Sequence, residues 1–176
     1  MASEPAFAIR ITGLPASGKS TIARRVKEEL ASRGIKVAVL ESDELRRVLT
    51  PNASYDEAER DRFYQAMIGI GSLLLNQGLV VIFDATANRR MWRDQARETI
   101  PRFIEVYVEC PLDVCMARDP KGIYRRGRGE IGRVPGLHEP YEQPLHPEIV
   151  VHCTSEDPQH AAQRIVWKLT DSEFIA

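Results

Sequence analysis

The chain has 176 residues, with 24 Lys and Arg against 25 Asp and Glu and a formal net charge of −1. That length suffices for one domain, residues 1–176, with a substantial core. The balance excludes a protein that grips nucleic acid or anionic lipid with its whole surface, and no apolar run reaches membrane-spanning length.

Apolar residues alternate at Phe7, Ile9 and Ile11, which predicts a first strand. A helix follows over Lys19 to Ser32, with Ile22, Ala23, Val26 and Leu30 on one face and Gly34 as its stop. "KVAVL" (36–40) reads as a buried parallel strand. A short helix is expected over Glu44 to Leu49, with Pro51 just beyond it. Ser54 and Glu57 fit a capping box for a long helix ending near Gly78. Its stripe, Phe63, Met67, Ile70 and Leu74, is a core stripe. "LVVIF" (79–83) is the third strand, and Asp84 stands at its carboxyl end.

A helix over Arg90 to Thr99, a strand "FIEVYVE" (103–109) and a helix over Leu112 to Arg118 come next. Periodicity then disappears over residues 119–147, where glycine, proline and arginine crowd together. "EIVVHC" (148–153) predicts a fifth strand. A last helix covers about Gln159 to Leu169, capped by Asp157 or Ser155. Cys110, Cys115 and Cys153 show no metal or redox spacing. An odd cysteine count without a signal-peptide pattern fits three buried thiols in a reducing, cytoplasmic setting. The four histidines show no zinc spacing.

Strands alternating with helices predict a mainly parallel five-stranded sheet with helices on both faces. Ligands of such sheets bind beyond the carboxyl ends of the strands. Three stretches converge there: "ITGLPASGKST" (11–21) after the first strand, Asp43 after the second and Asp84 after the third. Gly13, Gly18, Lys19 and Ser20 satisfy G-x-x-x-x-G-K-[ST], with a strand before and a helix after. The loop's backbone N–H groups form an anion nest. Gly13, Ala16, Ser17, Gly18, Lys19, Ser20 and Thr21 are therefore the expected contacts of a nucleoside triphosphate. Lys19 would reach the β- and γ-phosphates and Ser20 would ligate Mg²⁺. No guanine-reading N-K-x-D follows, and the size and sheet suit a small P-loop kinase using ATP.

"FIEVYVECPLDVCMARDPKGIYRRGRGEI" (103–131), "PYEQPLHPEIVV" (140–151) and "ESDELR" (41–46) together resemble the adenylylsulfate kinase family. The resemblance runs from about Phe7 to Cys153. It implies a P-loop kinase fold and transfer of the ATP γ-phosphate to the 3′-hydroxyl of adenylylsulfate, a small-molecule nucleotide acceptor. Asp43 would orient that hydroxyl or act as base, or cap the helix beside it. Arg46 and Arg60 would hold the acceptor's anionic end, or lie on a helix surface. Tyr55 and Val134 would flank the acceptor adenine, Lys121 would reach its anions, and Arg118 would lie beside the ATP base. Arg125, Arg126 and Arg128 resemble a basic lid that excludes water. A homodimer is also implied.

Four positions differ from the family pattern. Val134 stands where an aromatic stacks on the acceptor base, Gly132 where a lysine precedes it, Phe63 for an asparagine and Ala87 for a serine. Asp84 is a gain, read as a catalytic or magnesium-associated carboxylate or as a cap. These differences leave a second reading: a related kinase for another nucleotide derivative or a small-metabolite hydroxyl. A third is a nucleotide-dependent binding module without transfer.

Overall fold

The computed structural model describes residues 6–127 and 133–175. Its elements in chain order are β1 (Ala8–Gly13), α1 (Lys19–Ser32), β2 (Val37–Glu41), α2 (Ser42–Leu49), α3 (Glu57–Asn76) and β3 (Val80–Asp84). They continue with α4 (Arg90–Thr99), β4 (Phe103–Glu109), α5 (Leu112–Arg118), α6 (Ile123–Gly127), β5 (Ile149–His152) and α7 (Pro158–Asp171). The five strands lie in the order β2-β3-β1-β4-β5, and every pairing is parallel.

β1 is central, so its side chains alternate between two buried faces. Ile9 and Ile11 point into a core with Val26 and Leu30 of α1 and Ile165 and Leu169 of α7. Ala8 faces the opposite layer, where Phe63 and Met67 of α3 and Trp92 and Ala96 of α4 pack on Val81 and Phe83. The α3 stripe is thus core, as its spacing predicts. Arg10 is fully buried with its guanidinium 5.0 Å from the centre of the Phe83 ring. Burial pulls its pKa down to about 10. No membrane-spanning helix occurs among the described residues.

Helix starts show how local capping competes with sequence pattern. α2 begins at Ser42, with Glu41 as its N-cap, so Asp43 lies in the first turn and is not the cap. The capping box at Ser54 does not form. Asp56 caps α3 instead, accepting from the Glu59 N–H at 2.9 Å, while the Ser54 hydroxyl donates to Asp56. α6 lies inside the stretch read as irregular, because five residues are too short for a periodic signal.

α7 is capped by Asp157, which accepts from the backbone N–H groups of Gln159 and His160 at 3.0 and 3.1 Å. Those bonds, His160 first, hold its carboxyl below the ordinary value. Asp157→Ala is expected to lower Tm by about 2–4 °C at neutral pH. A depressed carboxylate stabilises above its unfolded pKa of about 3.9 and loses that contribution as pH falls through the folded value. The gap between mutant and wild type should therefore narrow in acid, as thermal melts across pH 2–7 would show.

Candidate active site

The phosphate loop follows β1 directly, where the neighbouring strand leaves little room. A Cβ on Gly13 would sit 2.5 Å from the Val108 carbonyl oxygen and 2.9 Å from Ser17 Oγ. Gly18, at φ 104°, turns the chain into α1 through the left-handed region that glycine tolerates. Ala16 also has positive φ, at 62°. Lys19 is buried and its Nζ donates to the Leu14 carbonyl at 2.8 Å. Burial lowers its pKa, and the Asp84 carboxylate acts in the opposite direction. A buried cation thus spans the loop that lacks any other strong charge.

Asp84 is buried at the end of β3, in register with Glu41 at the end of β2. Burial pushes its carboxyl above the ordinary range, against the pull of Lys19 and of the Ser20 hydroxyl. Ser20 and Asp84 therefore offer a hydroxyl and a carboxylate side by side. All-oxygen donors of this kind suit Mg²⁺, which usually takes one or two carboxylates and completes its shell with phosphate and water. No group of three or more metal-ligating side chains occurs among the described residues. The donor set fits a nucleotide-borne Mg²⁺ better than a resident metal.

A cleft of about 1400 Å³ runs over this centre and is lined by Gly18, Ser20, Thr21, Asp43, Asp84 and Lys121 among others. One end carries Arg118, Val151 and Cys153; the other carries Arg46, Tyr55, Arg60 and Val134. Except for Gly13, which shapes the loop from below, and Arg125, every predicted site residue among the described residues lines this one cleft. A space of this size exceeds the 300–1,000 Å³ usual for a single small ligand.

At the middle, Lys121 Nζ donates to Asp43 Oδ2 and Glu41 Oε1, both at 2.7 Å. Partial burial opposes its charge, yet those hydrogen bonds raise its pKa. Glu41 was not singled out from sequence, although it ends a strand on a carboxylate just as Asp84 does.

One wall of the cleft carries two arginines, Arg46 and Arg60. Arg46 donates to Glu59 at 2.5 Å and lies 3.8 Å above the Phe63 ring and 4.9 Å from the Tyr55 ring. Phe63 is therefore the floor on which Arg46 rests, a cation–π contact. Arg60 is buried, donates to the Tyr55 carbonyl, Asn88 Oδ1 and the Arg133 carbonyl at 2.7–3.0 Å, and is ion-paired with Glu139 Oε2 at 2.9 Å. Neither arginine is a free surface residue. Asn88 and Glu139 had no sequence signal, since they reach Arg60 from 28 and 79 positions away.

Val134 is buried against Gly127, where a Cβ would come within 2.5 Å of Val134 Cγ2. A larger side chain has no room inward. Val134→Phe is expected to direct its ring into the cleft and to lower the acceptor KM by about fivefold or more, the scale of one base–aromatic stack. Steady-state kinetics with the acceptor varied would measure it. Arg126 lines the cleft and Arg125 is exposed on the same short helix. Arg128 and Gly132 lie outside the described residues.

Beside Arg118, the expectation of three free thiols is overturned. Cys110 and Cys153 form a disulfide, with Cα atoms 5.2 Å apart; Cys115 alone is free, and buried. The cause is strand adjacency. β4 and β5 are parallel neighbours with Glu109 opposite His152, so the residue that follows each strand meets the other. Arg118 Nη2 donates to the Cys153 carbonyl at 3.0 Å, and Nη1 lies 3.8 Å from Cys110 Sγ.

The adenylylsulphate kinase family profile matches residues 5–152. The chain is 40% identical over 152 residues to a probable adenylyl-sulfate kinase of Archaeoglobus fulgidus, covering 86% of this chain and 98% of the relative. It is 36% identical over 167 residues to an adenylyl-sulfate kinase of Oceanobacillus iheyensis, covering 93% and 84%. Among solved structures, the Mycobacterium tuberculosis APS kinase CysC, in complex with AMPPNP and APS, superposes with a TM-score of 0.88 at 31% identity, covering 94% of this chain and 98% of that one. A β1 loop shaped for phosphates, two converging carboxylates and a cleft with room for two nucleotides agree with that likeness: this chain belongs to the adenylylsulfate kinase family.

Proposed function

We propose that the chain is an ATP-dependent adenylylsulfate kinase, which moves the γ-phosphate to the 3′-hydroxyl of adenylylsulfate. The observation that carries this reading is the single cleft that joins the phosphate loop to the wall of Arg46, Tyr55 and Val134. In-line transfer needs donor and acceptor held end to end across the catalytic centre, and one continuous trough provides that geometry.

The residues divide the work by position. The loop amides and Lys19 hold the triphosphate, and Lys19 stands where charge develops on the transferred group. Ser20 and Asp84 would hold Mg²⁺, which supplies charge neutralisation on the phosphate oxygens when bound. Asp43 faces the cleft and orients the acceptor hydroxyl, with Lys121 fixing its carboxylate. Arg46, which lines the cleft, would meet the acceptor's anions. Arg118 flanks the donor base, and Arg126 covers the phosphates. Two copies of the chain pairing belongs to the same reading; light scattering in solution checks it.

The test is direct. Purified protein with ATP, Mg²⁺ and adenylylsulfate should yield 3′-phosphoadenylylsulfate and ADP in equal amounts. ADP formed without that product, or a better rate with another nucleotide acceptor, would overturn the assignment.

A further inference from the structure

Arg60 has been read as a ligand for the acceptor's anionic end, but its bonding leaves little of it for that task. A guanidinium has five N–H groups, and three of those of Arg60 are hydrogen-bonded within the protein. Nε donates to the Tyr55 carbonyl at 3.0 Å, Nη1 to Asn88 Oδ1 at 2.9 Å and Nη2 to the Arg133 carbonyl at 2.7 Å, and Nη1 is also ion-paired with Glu139 Oε2 at 2.9 Å. The side chain is only 6% exposed. Arg46 differs: among the described residues its one carboxylate partner is Glu59, and its flat face rests on Phe63.

The partners of Arg60 are informative. The Tyr55 carbonyl belongs to the residue that forms one wall of the acceptor end. Tyr55 sits at φ 55°, a conformation costly for a side chain of that size. The Arg60 bond to its carbonyl helps hold it there, and the Tyr55 ring lies 5.9 Å from the Arg60 guanidinium. The Arg133 carbonyl immediately precedes Val134, which lines the same cleft as Tyr55. Asn88 ties the same guanidinium to the loop after β3, and its Nδ2 donates to the Pro140 carbonyl at 3.1 Å. Glu139 supplies the counter-charge from the segment just before Pro140.

We infer that Arg60 is a positioning residue that sets the separation of the Tyr55 and Val134 walls, and so the width of the slot for the acceptor's base, without itself gripping the acceptor's phosphate or sulfate. This rests on the acceptor being an adenosine derivative. A planar fork with fixed bond directions suits the task, because it joins several backbone groups in one plane. Lysine keeps the charge but cannot make those bonds together.

The two roles separate by ligand. With the donor site saturated by a non-hydrolysable ATP analogue, the affinities of adenosine and of adenylylsulfate are measured by calorimetry or ligand-observed NMR for wild type and Arg60→Lys. A spacer affects the part both ligands share, so both should weaken by the same factor, about tenfold. Loss of adenylylsulfate affinity with adenosine unchanged would overturn the inference, as would no change for either ligand. Wild-type protein that binds adenylylsulfate but not adenosine would also overturn it, since no slot would then act on the base alone. Wild-type protein that binds neither would sink the assigned function instead.

Should Arg60→Lys fail to bind the ATP analogue and prove misfolded, Glu139→Gln answers the same question. It keeps an acceptor oxygen and removes the competing negative charge. An anion-gripping Arg60 would then bind adenylylsulfate more tightly while adenosine stays unchanged, which would refute the spacer role. A spacer shifts both ligands together.

Discussion

Lys19→Ala is expected to lower kcat by about 10²-fold or more, the scale for removing one preorganised charge from a developing anion. The reason lies in how the side chain is kept. Lys19 is only 8% exposed, its Nζ bonded to the Leu14 carbonyl, and burial drives its pKa down against the pull of Asp84. The cation is therefore partly stripped of water before any substrate arrives. A charge in such a place acts on phosphate oxygens with little screening and without reorganising solvent. The Leu14 carbonyl holds the ammonium over the loop, and an incoming phosphate needs only to replace that one neutral acceptor. Initial-rate kinetics on a variant whose circular dichroism matches wild type would check the prediction. A loss below threefold would remove Lys19 from the catalytic centre.

Asp43→Asn is expected to reduce kcat by about 10²-fold, the lower end for a group that manages the acceptor's proton or its approach. Binding of an ATP analogue should stay within about twofold, because the phosphate loop does not depend on this side chain. Asp43 has a side chain 46% exposed to the cleft and one firm partner, Lys121, at 2.7 Å. Lys121 also holds Glu41, so the Asp43 amide variant leaves the lysine a carboxylate and the local fold intact. What it loses is the negative charge proposed to point the acceptor hydroxyl at the γ-phosphate. An unchanged kcat with a raised acceptor KM would reassign Asp43 to binding alone.

The lysine between the two carboxylates also explains why Asp43 could not be classified from sequence. Its position after the second strand allowed either a helix cap or a substrate contact. The cap is Glu41, whose backbone leads α2 two residues earlier than the apolar pattern suggests. That frees the Asp43 carboxylate for the cleft. Similarly, Phe63 looked like a loss from the acceptor site, yet it supports Arg46 from below. A residue can leave a contact and still shape it.

Local order was legible in the chain. Apolar period separates strands from helices, and α1, α4, β4 and α5 fall where the pattern puts them. The phosphate loop was equally plain, because its glycines, lysine and serine act within eight consecutive residues and depend only on a strand before and a helix after. Convergence of Asp43 and Asp84 on it followed from parallel strands alone, since every carboxyl end then meets one edge.

What the tertiary structure decided are the pairings between distant segments. The Cys110–Cys153 bond depends on β5 lying beside β4, an order that no spacing encodes. The four-way grip of Arg60 depends on α3, the loop after β3 and the segment after α6 meeting at one point. The amino-acid sequence determines chemistry within a loop or along a helix face, because covalent geometry fixes those distances. Contacts between elements arise only when the two buried faces of the sheet close, and packing, not spacing, then chooses each side chain's partner.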